Sequence, residues 1–168
     1  MVGEIRRRAQ GRRCVGIFWS SCESNDLYAR KSLRHAHLAP LWESSEDIHW
    51  VVMQRGYERA CWVDGPYSKD PQRCTVLPTQ TNLAQAIGVI DLLDGFVGND
   101  GVLSHAAGAL NKPGYLLLNT RCADWRYAQD VDATPWYPSL KVLRPDTMGG
   151  WNTLTEKLVS GIEDLVSR

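Results

Sequence analysis

The sequence predicts an α/β protein, in which a parallel sheet carries helices on both faces. Two observations support this prediction. Short apolar runs alternate along the chain with segments of helical periodicity, and a parallel strand reaches its neighbour through such a helical crossover. The apolar runs are nearly continuous, as in strands that are buried on both faces. The 168 residues suffice for one domain.

The predicted strands are short runs rich in β-branched and aromatic residues. The first, CVGIF at 14–18, is followed by a polar segment at 19–32 that predicts a loop. A very short strand at 95–98 runs directly into a Gly-Asn-Asp-Gly turn. The other apolar runs predict strands at 48–53, 61–63, 75–77, 113–118 and 140–143.

The predicted helices have apolar residues three or four positions apart. In the clearest case, at 81–93, Thr81 is the predicted N-cap. The spacing predicts further helices at 35–43, 101–110 and 151–166. The stretch at 121–138 is long, aromatic and irregular, and long loops in small domains are often functional.

Composition excludes several classes of protein. Seven Trp and six Tyr are too many apolar groups for a disordered chain. No apolar stretch approaches the ~20 residues of a spanning helix, so we expect no transmembrane segment. Five cysteines without CxxC spacing predict reduced thiols and a cytoplasmic location rather than disulfides or zinc. His35 and His37 lack a matching pair of ligands, so we expect no metal.

Charge is unevenly distributed, although 19 basic and 19 acidic residues balance overall. Residues 1–13 carry five arginines and one glutamate, whereas the rest has 14 basic and 18 acidic residues. We expect 1–13 to be a solvated basic tail or linker, with anionic lipid or RNA as alternative ligands. The domain at 14–168 is mildly acidic, which argues against nucleic-acid binding.

The strongest local motif is GNDGVLSHAAGAL at 98–110, where a strand runs into a turn and then a helix. Ligands bind at the carboxyl ends of strands in such sheets, and free amides at a helix start favour phosphate. Asp100 suits a sugar hydroxyl, and His105 can point toward the same crevice. The same spacing fits a capping Asp100 and a structural His105, so both interpretations stay open.

The loop after the first strand gives a second signal. Ser20 and Ser21 offer hydroxyls and amides to a phosphate, and Arg30 or Lys31 offers positive charge. A solvated loop with two surface cations fits the same residues. Cys22 in this loop is a candidate nucleophile for which the sequence identifies no base.

The third signal is the pair of aromatic segments at 124–127 and 134–138, DWRY and TPWYP. Aromatic side chains beside hydrogen-bond donors suit a sugar or a base. The alternative is that Trp125, Trp136 and Tyr137 anchor an irregular loop to the core.

Taken together, these segments resemble the C-terminal domain of bacterial glycosyltransferases of the GT-B fold. The likeness is closest to heptosyltransferase-like enzymes and their relatives fused to tetratricopeptide repeats, and it covers residues ~14 to 166. The first segments that carry it are VGIFWSS at 15–21, ND at 25–26, RKSL at 30–33, LAPL at 38–41 and VMQ at 52–54. The later ones are DGVLSH at 100–105, AGALNKP at 107–113, DWR at 124–126, PWYP at 135–138 and GW at 150–151.

The resemblance implies a Rossmann-like domain that binds a nucleotide-sugar donor without a metal or other cofactor. It implies that Ser20 and Ser21 meet the diphosphate and that Arg30 or Lys31 neutralises its charge. It places Gln54 and Gln80 near the nucleotide.

The resemblance also implies roles for the strongest motif. Asp100 faces the sugar, and His105 supports the turn. The amides implied to hold phosphate are those of Gly101, Val102 and Leu103. The family has Thr where this chain has Gly101, so one phosphate-binding hydroxyl is missing.

The resemblance implies one half of an enzyme, because a GT-B enzyme has two Rossmann-like domains and its other domain supplies the acceptor site and the base. The predicted function is therefore the donor-binding half of a glycosyltransferase that is inactive alone, truncated or dependent on a missing N-terminal half. The alternative is a non-catalytic nucleotide-binding or interaction module. Exposed aromatic groups near Trp19, Asp100 and Trp125 predict self-association or a partner.

Overall fold

The computed structural model contains one sheet of six parallel strands, which confirms the predicted fold class. The strands are β1 (Arg13–Phe18), β2 (Ile48–Val52), β3 (Cys74–Val76), β4 (Gly95–Asn99), β5 (Gly114–Leu117) and β6 (Leu140–Leu143). The structure describes residues 2–24, 26, 28–119, 125–127, 132–147 and 149–166, without the side chains of 163, 164 and 166. The predicted features at Asn25, Cys122 and Asp124 lie outside the described residues.

The strand order is β3-β2-β1-β4-β5-β6, so the chain builds outward from β1 in one direction and then in the other. β1 pairs with β2 on one side and with β4 on the other. The loops that leave the carboxyl ends of β1 and β4 therefore turn to opposite faces of the sheet and leave a crevice between them. This topological switch is where a ligand site is expected.

Helices cover both faces of the sheet. They are α1 (Val2–Ala9), α2 (Tyr28–Lys31), α3 (Ala39–Ser44), α4 (Gly56–Asp64), α5 (Leu83–Asp91), α6 (Val102–Ala109) and α7 (Trp151–Val166), with 3₁₀ turns at His35–Leu38 and Tyr67–Lys69. Val15 and Ile17 of β1 pack on the same side as α3 and α7. Cys14 of the same strand packs on the side of α1, α5 and α6. This alternation separates the core into two layers, as two-sided burial requires.

Three local predictions were wrong. Residues 61–63 belong to α4 rather than to a strand, and Trp62 is buried on that helix. The N-cap of α5 is Asn82 and not Thr81, because the Asn82 side chain accepts from the Gln85 amide and the Gln85 side chain accepts in return. The predicted loop at 19–32 contains the single-turn helix α2.

The basic head is also not a solvated tail. Ile5 and Ala9 of α1 are buried in the core layer that contains α5 and α6. Arg6 binds Asp94 at 2.7 Å, and the Cys14 amide donates to the same carboxylate at 2.7 Å. Burial raises the pKa of Asp94, but these two donors outweigh it and leave that pKa below its usual value. No helix among the described residues is long and apolar enough to cross a membrane.

Candidate functional site

A cleft of about 440 Å³ opens at the carboxyl edge of the sheet, between the loop after β1 and the starts of α5 and α6. Its apolar lining comes from Phe18, Met53, Leu77, Pro78, Leu83, Ala86, Val102 and Leu103. Its polar lining comes from Ser20, Ser21, Cys22, Glu23, Gln54, Arg55, Arg59, Thr79, Thr81 and Asn82. An apolar cavity with convergent polar groups is the usual form of a small-molecule site.

Gln54 connects the loop after β1 to the end of β2. Its Oε1 accepts from the amides of Trp19 and Ser20 at 3.0 and 2.9 Å. Its Nε2 donates to the carbonyls of Ser20 and Arg55 at 3.1 and 3.0 Å. The side chain is buried beneath the cleft, so it shapes the floor of the site by holding the backbone that lines it.

Ser20 and Ser21 line the cleft, but their amides are engaged within the protein. The Ser20 amide donates to Gln54, and the Ser21 amide donates to the Ser32 hydroxyl at 3.0 Å. Ser20 is buried, and its hydroxyl donates to the Ser21 carbonyl at 3.3 Å. Both amides therefore have partners within the protein, and the partly exposed Ser21 side chain is the more accessible of the two.

The start of α6 supplies the amides that the loop after β1 does not. Gly101 is the N-cap, with no side chain capping the helix, and Val102 and Leu103 form its first turn. Within the described residues, no acceptor contacts the amides of these three residues. Ser104 instead donates its hydroxyl to the Asn99 carbonyl at 2.6 Å, which fixes the turn before the helix. Uncapped amides at a helix start attract anions.

Lys31 and Asp100 form an ion pair beside the cleft, with the Lys31 Nζ 2.7 Å from Asp100 Oδ2. Neither side chain is more than one-fifth exposed. The backbone near the pair is held by Asn99, whose amide group donates to the Lys31 carbonyl at 2.9 Å. The predicted positive charge at Lys31 is thus already balanced by the predicted sugar-facing carboxylate. Asp100 does not cap α6.

A tyrosine and a histidine lie beside the Asp100 carboxylate, and a second tyrosine contacts that histidine. His105 Nε2 lies 3.8 Å from Asp100 Oδ1, and the Tyr127 hydroxyl lies 3.5 Å from the same oxygen. His105 Nδ1 lies 3.0 Å from the Tyr137 hydroxyl. The His105 ring therefore lies beside the turn that contains Asp100. We call Lys31, Asp100, His105, Tyr127 and Tyr137 the polar cluster.

The remaining predicted site residues lie away from these groups. Gln80 is exposed and contacts the Thr79 hydroxyl at 3.4 Å, while its neighbours Thr79 and Thr81 line the cleft. Arg30 is exposed and does not line the cleft. Its carbonyl accepts from the Asn119 side chain at 2.5 Å.

Gly101 has a physical reason to lack a side chain. A Cβ at this position would lie 2.9 Å from the Phe18 ring. Phe18 also lines the cleft. A side chain at position 101 would therefore require the Phe18 ring to move.

Sequence reasoning missed two arginines at the start of α4. The Arg55 guanidinium donates to the carbonyls of Thr79 and Thr81 at 2.5 and 3.1 Å, and that of Arg59 donates to the Leu77 carbonyl at 3.3 Å. Both line the cleft and hold the loop between β3 and α5 against it. The signal for them was their position directly after the buried β2 strand.

Cys22 is exposed at the mouth of the cleft. A hydrogen bond with the Ser24 hydroxyl, 3.1 Å from its sulfur, lowers the pKa of this thiol. Among the described contacts, the Cys22 sulfur has no hydrogen bond to a histidine, lysine or carboxylate. The described residues also contain no group of three or more His, Cys, Asp or Glu that could hold a metal ion.

The aromatic residues near the site separate into two classes. Trp19, predicted to be exposed, is fully buried, and its indole N–H donates to Glu58 at 3.3 Å. Trp125 and Trp136 remain 78% and 55% exposed. The alternative in which Trp125, Trp136 and Tyr137 anchor the loop is therefore wrong for the two tryptophans. It is confirmed for Tyr137, which packs against the core cluster that contains buried Tyr127.

Part of the chain matches a known protein family. Residues 65–117 match the model of Glycosyltransferase family 9 (heptosyltransferase). The match covers β3 through β5, including the α5 and α6 sides of the cleft. Among curated protein sequences, none matches this chain.

Two solved structures share the fold. ADP-heptose LPS heptosyltransferase II of E. coli superposes with a TM-score of 0.72 at 19% identity, over 99% of this chain and 52% of that one. E. coli heptosyltransferase WaaC, solved with ADP, gives a TM-score of 0.61 at 16% identity, over 92% and 45%. The chain spans about half the length of these structures, and both confirm the Rossmann-like fold.

Proposed function

We propose that this chain is the nucleotide-sugar-binding half of a glycosyltransferase that transfers a sugar to an acceptor hydroxyl. The observation that carries the proposal is the cleft at the topological switch, where an apolar compartment adjoins uncapped helix amides. The match of residues 65–117 to a heptosyltransferase family supports it. So does the fold shared with an enzyme solved with ADP.

In this proposal the two kinds of lining bind the two parts of a nucleoside diphosphate. The base enters the apolar compartment beside Met53 and Leu77. The diphosphate meets the start of α6, where the amides of Val102 and Leu103 compensate its charge. The same amides stabilise the diphosphate as it leaves during transfer.

The Lys31–Asp100 pair lies at the sugar end of the proposed site. Asp100 accepts a hydrogen bond from a sugar hydroxyl, while Lys31 balances the charge of the carboxylate. Because metal-ligand clusters are not needed in this arrangement, we propose a metal-independent reaction. We assign the base that activates the acceptor to a second half of the enzyme. We also propose a cytoplasmic location for the chain.

The alternative is a non-catalytic nucleotide-binding module. Two observations favour it: Lys31 is already neutralised by Asp100, and Gly101 supplies no hydroxyl. Both functions require nucleotide binding, but only the first requires sugar transfer once a second half is present. A transfer assay therefore separates them.

The nucleotide site is tested by titrating ADP, UDP and GDP into the purified chain by calorimetry. We expect at least one to bind, weakly, because the second half contributes no contacts. Val102→Pro removes one amide at the first helical position, where proline fits, and the extended backbone of Gly101 suits a residue before proline. We expect affinity to fall about tenfold, as a charge-assisted hydrogen bond predicts.

Val102→Ala is the matched control, because it removes the same side chain but retains the amide. If the amide binds the diphosphate, Val102→Ala binds nucleotide more tightly than Val102→Pro. Affinities of the two variants within about twofold of each other would show that the amide does not contribute. Absence of binding by all three nucleotides at millimolar concentration would exclude the donor-site proposal.

A further inference from the structure

Among the described residues, Trp125 and Trp136 form an exposed aromatic pair that the proposed nucleotide site does not use. The two rings contact edge to face, with centroids 5.5 Å apart and planes at 86°. They are 78% and 55% exposed, whereas Trp19, Trp50, Trp62 and Trp151 are buried. Two exposed indoles in contact form a contiguous apolar patch, and such patches mark interaction or ligand-binding sites.

The pair is fixed relative to the polar cluster. Tyr127, two residues after Trp125, reaches Asp100, and Tyr137, next to Trp136, reaches His105. Thr134 joins the two segments, since its hydroxyl donates to the Arg126 carbonyl at 3.0 Å and accepts from the Trp136 amide at 3.3 Å. Each indole therefore belongs to a segment whose tyrosine is a member of the polar cluster.

We propose that Trp125 and Trp136 bind the apolar face of a pyranose ring, whose hydroxyls meet the partly exposed polar cluster. A pyranose has polarised C–H groups that suit the negative face of an aromatic ring, and hydroxyls that suit carboxylate, amine and imidazole groups. The combination of indoles with Asp100, Lys31 and His105 supplies both. This ligand class rests on the proposed function, because a sugar is then present at the polar cluster.

A protein partner fits the pair less well. An indole offers at most about 250 Å², so the two together expose roughly 300 Å². A stable protein interface buries about 800 Å² on each partner. The pair is large enough for one or two sugar rings but small for a stable dimer. Self-association through Trp125 is therefore an outcome that the test must exclude.

The test uses an array of hexose- and heptose-containing oligosaccharides, and in parallel a titration with ADP and ADP-heptose. Trp125→Leu keeps an apolar side chain without the aromatic face, whereas Trp125→Phe retains one. Leu92→Ala is the control, because Leu92 is an exposed apolar residue at the end of α5. All four proteins are compared by sedimentation at several concentrations.

We expect Trp125→Leu to lower sugar affinity at least fivefold, Trp125→Phe by less than twofold, and Leu92→Ala not at all. A loss confined to oligosaccharides assigns the pair to the acceptor, and a loss for ADP-heptose but not ADP assigns it to the donor sugar. Equal binding by all variants, or no sugar binding in either arm, overturns the proposal. A wild-type dimer that Trp125→Leu dissociates overturns it in favour of self-association.

Failure of the nucleotide site gives a different result. If ADP does not bind but oligosaccharides bind in a Trp125-dependent manner, the proposed function fails and the sugar-binding pair stands. If ADP binds and no sugar binding depends on Trp125, the proposed nucleotide site stands and the sugar-binding pair fails.

Discussion

Gln54 and Gln80 receive the same prediction from the sequence, since the resemblance implies that both lie near the nucleotide. The structure gives them different environments. Gln54 is buried and makes four hydrogen bonds to the backbone around the cleft. Gln80 is exposed and contacts only the Thr79 side chain among the described residues. A glutamine's role here depends on which backbone groups lie around it.

Gln54→Glu should therefore destabilise the protein by about 1–3 kcal/mol at neutral pH, since it replaces a donor that faces the Ser20 and Arg55 carbonyls with an acceptor. The loss should shrink as pH falls, because a buried glutamate with a raised pKa regains a donor on protonation. Gln80→Glu is the matched control and should change the free energy of unfolding by less than about 0.5 kcal/mol. Urea unfolding measures both, and equal effects would contradict the role assigned to Gln54.

At the scale of elements, the position of α6 depends on glycines, because a Cβ at two of them would clash with neighbouring side chains. A Cβ at Gly108 would lie 2.3 Å from the Tyr137 ring, and one at Gly98 would lie 2.5 Å from the Ser104 hydroxyl. Gly108 thus lets the aromatic segment pack directly on α6, the helix whose first amides are proposed to bind phosphate. Gly88, in the middle of α5, has nothing within 4 Å of an added Cβ.

Gly108→Ala and Gly88→Ala should have opposite effects on stability. In α5 the substitution should stabilise by about 0.5–1 kcal/mol, the usual gain of alanine over glycine inside a helix. In α6 the clash with Tyr137 should outweigh that gain and destabilise by about 1–3 kcal/mol. Thermal unfolding of both variants measures the difference. A stabilised Gly108→Ala protein would show that Tyr137 does not pack closely on α6.

At the scale of the whole molecule, the chain has a complete sheet and two core layers but spans about half the length of the solved enzymes that share its fold. The cleft opens at the carboxyl edge of that sheet. In the proposed function a second half covers this edge and supplies the acceptor site and the base. Nucleotide binding and sugar transfer are then properties of different assemblies.

The isolated chain should therefore bind nucleotide but transfer no sugar. Incubation with ADP-heptose and candidate acceptors, with and without a candidate N-terminal half, measures transfer by release of ADP. We expect release above background only with the added half, and equally in the presence of a metal chelator. Transfer by the chain alone that Asp100→Asn abolishes would contradict the proposal, and binding without transfer in any combination would favour the non-catalytic module.

The sequence by itself determined the fold class and all six strands near their observed positions, with one additional predicted strand at 61–63 that belongs to α4. It also indicated the carboxyl edge of the sheet as the place of the candidate site. These follow from local patterns, because apolar runs and helical periodicity are properties of neighbouring residues. Only the tertiary structure decided that Lys31 pairs with Asp100, that Gln54 occupies the amides of the loop after β1, and that Trp125 and Trp136 stay exposed. Each of these facts depends on which distant residues meet or on which side chains stay in contact with solvent. Strand order, register and packing decide both.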